Sequence, residues 1–173
     1  MLIKDVEISF ADYLAYQHWF QRTDHQAKWT NLLIDCLGAL LAGLGLIIII
    51  LGRPIGWFFL GFGGVYIWFY RWLRDHRTKQ SYQAEANAQL FAARAVQIDE
   101  TGITTTMANT RGHIDWSGYQ RVVEEPRLFI LMIAKRQAQL LPKSDLTSTQ
   151  IAELRKWFSQ CLTAEQWEGQ HDD

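Results

Sequence analysis

Two apolar runs joined by a three-residue junction constrain this chain more than any other feature. The first, LLIDCLGALLAGLGLIIIIL, covers residues 32–51, and the second, PIGWFFLGFGGVYIWFYRWL, covers 54–73. About twenty helical residues at 1.5 Å each cross a hydrocarbon core of about 30 Å. Two such runs without polar faces exceed what a chain of 173 residues would bury in a soluble core. The junction Gly52–Arg53–Pro54 suits a tight reversal: Gly52 relaxes the backbone, Arg53 reaches toward headgroups, and Pro54 fits a new helix's first turn. The expectation is a transmembrane helical hairpin over 31–73, with helices at about 32–51 and 54–73 and a turn at 52–54.

A hairpin puts both flanks on one side. The flank after the second run carries Arg71, Arg74, Arg77 and Lys79; the one before the first carries Arg22 and Lys28; the loop carries Arg53 alone. The positive-inside bias places both termini in the cytoplasm. Trp57 toward the far side, and Trp29, Trp68, Tyr70 and Trp72 toward the near side, fit the aromatic belts of a bilayer. Small residues recur within the runs, and Gly38, Ala42, Gly43, Gly61 and Gly64 are the candidates for close helix packing. Packing within the hairpin is the plainer use, dimerisation the sharper one. Asp35 is the single acid in the runs. It lies about one turn inside the boundary and reads as a tolerated residue, because the stretch IGWFFLGFGGVYIWFY of the second run offers it only Tyr and Trp tips.

Before the runs, KDVEISF alternates Val6, Ile8 and Phe10 against polar residues, the period of a half-buried strand. SFADYLAYQHWFQR reads as a helix, with Ser9 and Asp12 at capping-box spacing. It lies either on the membrane surface or under the C-terminal domain. His18 and His25 read as surface histidines rather than metal ligands, since no further ligands stand at compatible spacing. No charged region leads into a short apolar stretch, so no cleavable signal peptide is expected.

From about Gln89 the pattern becomes short strands at hairpin spacing: LFAARAVQID, ITTTMAN, HIDW, QRVVEE, LFILMIA and AQLLP. Gly102 suits the DETG turn. TSTQ then has a capping-box pattern at Thr147 and Gln150, and Ile151, Leu154, Phe158 and Leu162 recur at helical spacing. Trp116 and Trp157 read as core. The expected organisation is an N-terminal strand and amphipathic helix over 1–30, the hairpin over 31–73, a basic linker over 74–88, a cytoplasmic domain over 89–163 and an acidic tail over 164–173.

The pieces DETGI, the DW before a VVE strand, LFILMI, and LLPKSDL before the last helix, in that order, resemble the C-terminal domain of YcxB-like bacterial membrane proteins. ISFADYLAYQ and the two apolar runs resemble that family too. The resemblance implies a bacterial inner-membrane protein whose cytoplasmic domain is a PH-like barrel. It brings no established activity and no catalytic residues. Such a barrel usually has seven strands, and the Val6–Phe10 stretch is the source for a seventh beyond the six of the C-terminal half. The fold class expected is therefore an α+β membrane protein, a transmembrane hairpin plus a PH-like antiparallel β-barrel capped by a C-terminal helix.

Chemistry is sparse. The net charge of -1 argues against nucleic acid as a partner. No phosphate-binding loop, dinucleotide fingerprint, zinc-protease helix or CxxC pair occurs. Cys36 sits in an apolar run and Cys161 in the last helix, so no disulfide, cofactor or metal is expected. Asp99, Glu100 and Asp115 sit at turns, and Glu124 and Glu125 end a strand facing solvent. Arg71, Arg74, Arg77 and Lys79 are the candidate contacts to anionic headgroups, each worth about 1 kcal/mol near a charged leaflet. The function expected is a membrane-anchored, cytoplasm-facing interaction or regulatory module, not an enzyme, holding a protein segment or lipid headgroup. The alternative is a small oligomeric transport or stress-response subunit acting through its hairpin.

Overall fold

The computed structural model describes residues 1–84, 91–107 and 110–169. The chain forms two compact units, Met1–Tyr16 together with the chain from Glu85 onward, and Gln17–Ala84. The class is α+β.

In the second unit, the end of α1 (Phe10–Thr23) is followed by α2 (His25–Ile50) and α3 (Gly56–Gln83). Asp24 starts α2 by accepting the Ala27 N–H at 3.1 Å. The end of α2 is a Schellman closure: Gly52 adopts φ 75°, its N–H meets Ile49 O at 2.8 Å, and the Arg53 N–H meets Ile48 O at 3.1 Å. A non-glycine residue at 52 would be strained, which is why the reversal falls there. The helices run antiparallel with their backbones nearly touching. A Cβ on Gly56 would stand 2.5 Å from Gly45 O, and one on Gly63 would stand 2.6 Å from Gly38 O and 2.8 Å from Ala42 N. Among the described residues α2 alone, with a mean hydropathy of 2.6 over its most apolar stretch, is long and apolar enough to cross a membrane. The region expected as a linker from residue 74 is helical to Gln83, since no Gly or Pro interrupts 65–83. Residues 85–88 of that region, and the expected domain start at 89–90, lie outside the described residues.

The first unit holds the strands. β1 (Leu2–Val6), β2 (Arg94–Ile98), β3 (Gly102–Met107) and β4 (Thr110–Asp115) form one antiparallel sheet in that order. β5 (Arg121–Glu124), β6 (Leu128–Ala134) and β7 (Gln137–Pro142) form a second, in which β8 (Trp167–Glu168) runs parallel to β5 on its far side. The expected closed barrel is not formed. Its closure would join β5 to β4, but a 3-10 turn at Trp116–Gly118 separates these strands and β8 occupies that edge of β5. Part of the expected acidic tail is therefore a strand; residues 170–173 lie outside the described residues. β1 lies earlier than the expected Val6–Phe10. Ser9 stops the strand by capping α1: the Asp12 N–H meets Ser9 Oγ at 3.2 Å, and the Asp12 carboxylate takes the Ser9 N–H at 3.3 Å. Val6 and Ile8 are still buried, so the alternation marked burial rather than pairing.

Between the sheets, Val96, Ile98, Ile103, Tyr119, Val122, Phe129 and Leu131 meet Leu154 and Phe158 of α4 (Ser148–Cys161). Trp116 is buried there, its indole N–H donating to Asp99 O at 3.1 Å. Tyr119 donates to Gln139 Oε1 at 2.7 Å, and Gln139 donates to Thr105 Oγ1 at 2.8 Å, a polar tie between the sheets. Burial pushes the Tyr119 hydroxyl pKa well up. Gly102 is required by close approach, because an added Cβ would collide with Ile114 O. Thr147 and Gln150 form the expected capping box of α4.

Glu124 corrects the expectation of a solvent-facing strand end. Its side chain is 1% exposed and is gripped by Lys143 Nζ at 2.7 Å and Arg155 Nη2 at 2.6 Å, so it ties α4 to the sheet. Burial alone would raise its pKa, but the hydrogen bonds and charges of Arg155 and Lys143 outweigh this and hold it below the usual carboxylate range. A depressed folded-state pKa means stability that is fully present above the unfolded value, about 4.3, and lost as pH falls through the folded one. Glu124→Gln should thus destabilise the first unit by about 2–3 kcal/mol at neutral pH, less than a fully stranded pair because Arg155 is half exposed. Thermal melts against pH should show the gap to wild type closing below about pH 4; a gap that persists there would refute the assignment.

The helix contact yields a second expectation. Gly45→Leu must push against Leu60 and Gly56 backbone, whereas a Cβ added at Gly43 meets nothing within 4 Å, so Gly43→Leu starts into open space. Melting in detergent should show Gly45→Leu less stable by about 1–3 kcal/mol and Gly43→Leu unchanged. Equal effects would overturn the described helix register.

Candidate functional site

Where α2 enters and α3 leaves the apolar stretch, three helices open a cleft of about 540 Å³. α1 contributes His18, Gln21 and Arg22, α2 contributes Asn31, Ile34 and Asp35, and α3 contributes Tyr70, Arg71 and Arg74. Each set follows helical spacing, so each helix presents one face. Three arginines line the cleft against one aspartate.

Asp35 has the partner that its run did not offer. Arg71 Nη2 reaches Asp35 Oδ1 at 3.1 Å and Oδ2 at 3.2 Å. Asp35 and Arg71 stand equally far from Arg53 along the chain, so a reversal centred there sets them opposite each other. That symmetry is the signal that could have found the pair. Arg71 lies one residue past the aromatic stretch that ends at Tyr70. In water a half-exposed pair of this kind contributes about 0–1 kcal/mol, so its interest is chemical.

The donors are only partly used. Arg71 employs Nη2 alone, and Arg74 bonds Asp75 Oδ1 through Nε at 3.3 Å. No other hydrogen bond joins either guanidinium to a described residue. His18 Nε2 is buried without a hydrogen-bond partner among the described residues, standing 3.7 Å from Asp75 Oδ1. An apposition of unfilled N–H donors and fixed positive charge suits an oxyanion.

The headgroup candidates therefore divide: Arg71 and Arg74 line the cleft, while Arg77 and Lys79 lie further along α3 and do not. The packing candidates divide as well. Gly38 and Ala42 sit in the α2–α3 contact, whereas Gly43, Gly61 and Gly64 have open space at their Cβ positions. Gly45, Gly56 and Gly63 complete the contact and were not among the candidates. Sequence reasoning also missed His18, Arg22 and Asn31 as cleft residues, because they come from two helices and meet only across a third.

The strand unit holds two other polar arrays. Thr104 Oγ1 lies 2.8 Å from His113 Nδ1, and His113 Nε2 lies 3.1 Å from Asp115 Oδ1. The order resembles a nucleophile–base–acid chain, but the hydroxyl end is buried and the carboxylate end is exposed. A nucleophile needs the reverse. Arg94 extends the inward row of β2; burial lowers its pKa, and its Nε and Nη2 have no partner among the described residues. No cluster of metal-ligating side chains occurs among the described residues.

No curated protein and no solved structure matches the chain. A family model does: residues 98–158, about a third of the chain, match the model described as YcxB-like protein. The matched segment runs from the end of β2 to Phe158 of α4, and so takes in β3 and β4 of the first sheet, β5, β6 and β7 of the second, and most of the helix held by Glu124. That match supports assignment of the chain to the YcxB-like protein family.

Proposed function

We propose that the protein is a membrane-anchored, cytoplasm-facing interaction module of the bacterial inner membrane, in which α2 and α3 form a transmembrane hairpin and the strand unit is a PH-like domain. The observation that carries this reading is the placement of exposed apolar side chains. Leu2 aside, every large exposed hydrophobic among the described residues lies between Trp29 and Trp72, including Leu33, Leu40, Ile50, Trp57 and Trp68. Such a surface is stable only against lipid or another apolar body. α3 scores lower than α2 on hydropathy because its apolar bulk is aromatic, and aromatic residues with a polar tip suit the interfacial zone. Seven long strands in two sheets with a closing helix fit the PH-like layout, with β1 supplied from before the helices. The activity assigned is binding, of a lipid headgroup or protein segment at the inner leaflet, with the arginine-lined cleft as the site.

The outward placement of Gly43, Gly61 and Gly64 favours a second reading, an oligomeric hairpin acting as a transport or stress-response subunit. Gly61→Leu would then abolish in-membrane cross-linking between copies; undiminished cross-linking removes that reading.

Topology decides the first reading. In a chain freed of Cys36 and Cys161, Arg53→Cys should react with a membrane-impermeant maleimide on intact spheroplasts. Glu165→Cys should react only after permeabilisation. Reaction of both from outside, or release of the chain by alkaline carbonate, would overturn the hairpin.

A further inference from the structure

We infer that the cleft is a binding site for a phosphomonoester, which Arg71, Arg74 and His18 would hold, with Asp35 acting as a built-in competitor for Arg71. The membrane reading bears on where that phosphate comes from; the cleft's own chemistry does not depend on it. A phosphate monoester offers three oxygens and a charge of about −1.5 to −2 at neutral pH. Arg71 has Nη1 and Nε, and Arg74 has Nη1 and Nη2, unbonded to any described residue, and a guanidinium edge matches two phosphate oxygens. His18 Nε2, buried and without a hydrogen-bond partner among the described residues, stands 3.7 Å from Asp75 Oδ1 and supplies a third donor when it carries the proton. Asn31 and Gln21 add neutral donors on the other two helices. The volume of about 540 Å³ holds a phosphate with a small substituent.

Asp35 sets the selectivity. Its carboxylate already meets Arg71 through both oxygens, so a ligand must be the stronger anion to take Arg71 over. A monoester dianion meets that condition better than a phosphodiester monoanion or a carboxylate. The site should therefore prefer phosphatidic acid to phosphatidylglycerol, and inorganic phosphate to acetate.

The test uses the full chain in two arms. In neutral phosphatidylcholine nanodiscs, inorganic phosphate is titrated and followed by calorimetry. In nanodiscs carrying a minor fraction of phosphatidic acid or phosphatidylglycerol, lipid retained by the protein is counted by native mass spectrometry. Arg74→Gln and Arg71→Gln should weaken binding on the order of tenfold. Lys28→Gln, which removes a charge outside the cleft, should not weaken it. Asp35→Asn should strengthen binding and narrow the monoester preference. Arg74→Lys, which keeps charge and loses the fork, should fall between wild type and Arg74→Gln, and decides the point if Arg74→Gln does not fold. Arg74-dependent retention of phosphatidic acid identifies a lipid headgroup as the source. Arg74-dependent phosphate binding without lipid enrichment identifies a soluble phosphate. Losses at Lys28→Gln equal to those at Arg74→Gln would reduce the cleft to diffuse surface charge and overturn the inference, as would absence of binding in both arms. Equal retention of the two lipids would overturn the monoester preference. Failure of the hairpin reading shows in the labelling experiment, which leaves the phosphate arm intact.

Discussion

The backbone contact between α2 and α3 governs everything in the helical unit. Gly45 against Gly56 and Gly38 against Gly63 let two helices approach until main-chain atoms meet, which no larger residue at those positions permits. Close packing of this kind gives each helix van der Waals contact with the main chain of the other. The contact fixes the register, and the register sets Asp35 opposite Arg71. From that pair follows the composition of the cleft, since it determines which turn of α3 faces which turn of α2. The same geometry turns Gly43, Gly61 and Gly64 outward.

The strand unit is governed by a buried ion cluster and an edge. Glu124 stands at the end of a four-residue strand and would be costly to bury alone. Lys143 follows β7 and Arg155 lies on α4, so satisfying one carboxylate requires three elements to be in place. β8 covers an edge of β5 that would otherwise be exposed. Two residues suffice to do so, because an edge needs only its unpaired N–H and C=O groups occupied.

Periodic and capping signals were legible in the sequence; distant pairings were not. The Ser9 and Thr147 caps, the Gly52 reversal and the strands β2, β3, β5, β6 and β7 were read from local chemistry, within a few residues of where they lie. The start of β4 was misplaced because Thr110–Arg111–Gly112 reads as a turn, yet continues the ladder with β3. In the sequence Glu124 reads as solvent-facing because its partners lie 19 and 31 residues away. The two-sheet layout was hidden for a similar reason. Whether a sheet closes depends on what occupies its edges, and β8 comes from a stretch read as tail. Half of the candidate site was visible as a basic flank. The cleft itself was not, because it takes three helix faces to make it.

β1 pairs with β2 although the two are separated by the whole helical stretch, with Leu2 opposite Gln97. At about 5–20 residues per second, on the order of 5–20 s of synthesis separates the emergence of the two strands. Through that interval Leu2–Val6 has no ladder to join, because β2, β3 and β4 are made only after both helices. Completion of the first sheet thus waits on synthesis of the whole helical stretch, and β1 has to stay free to pair throughout it.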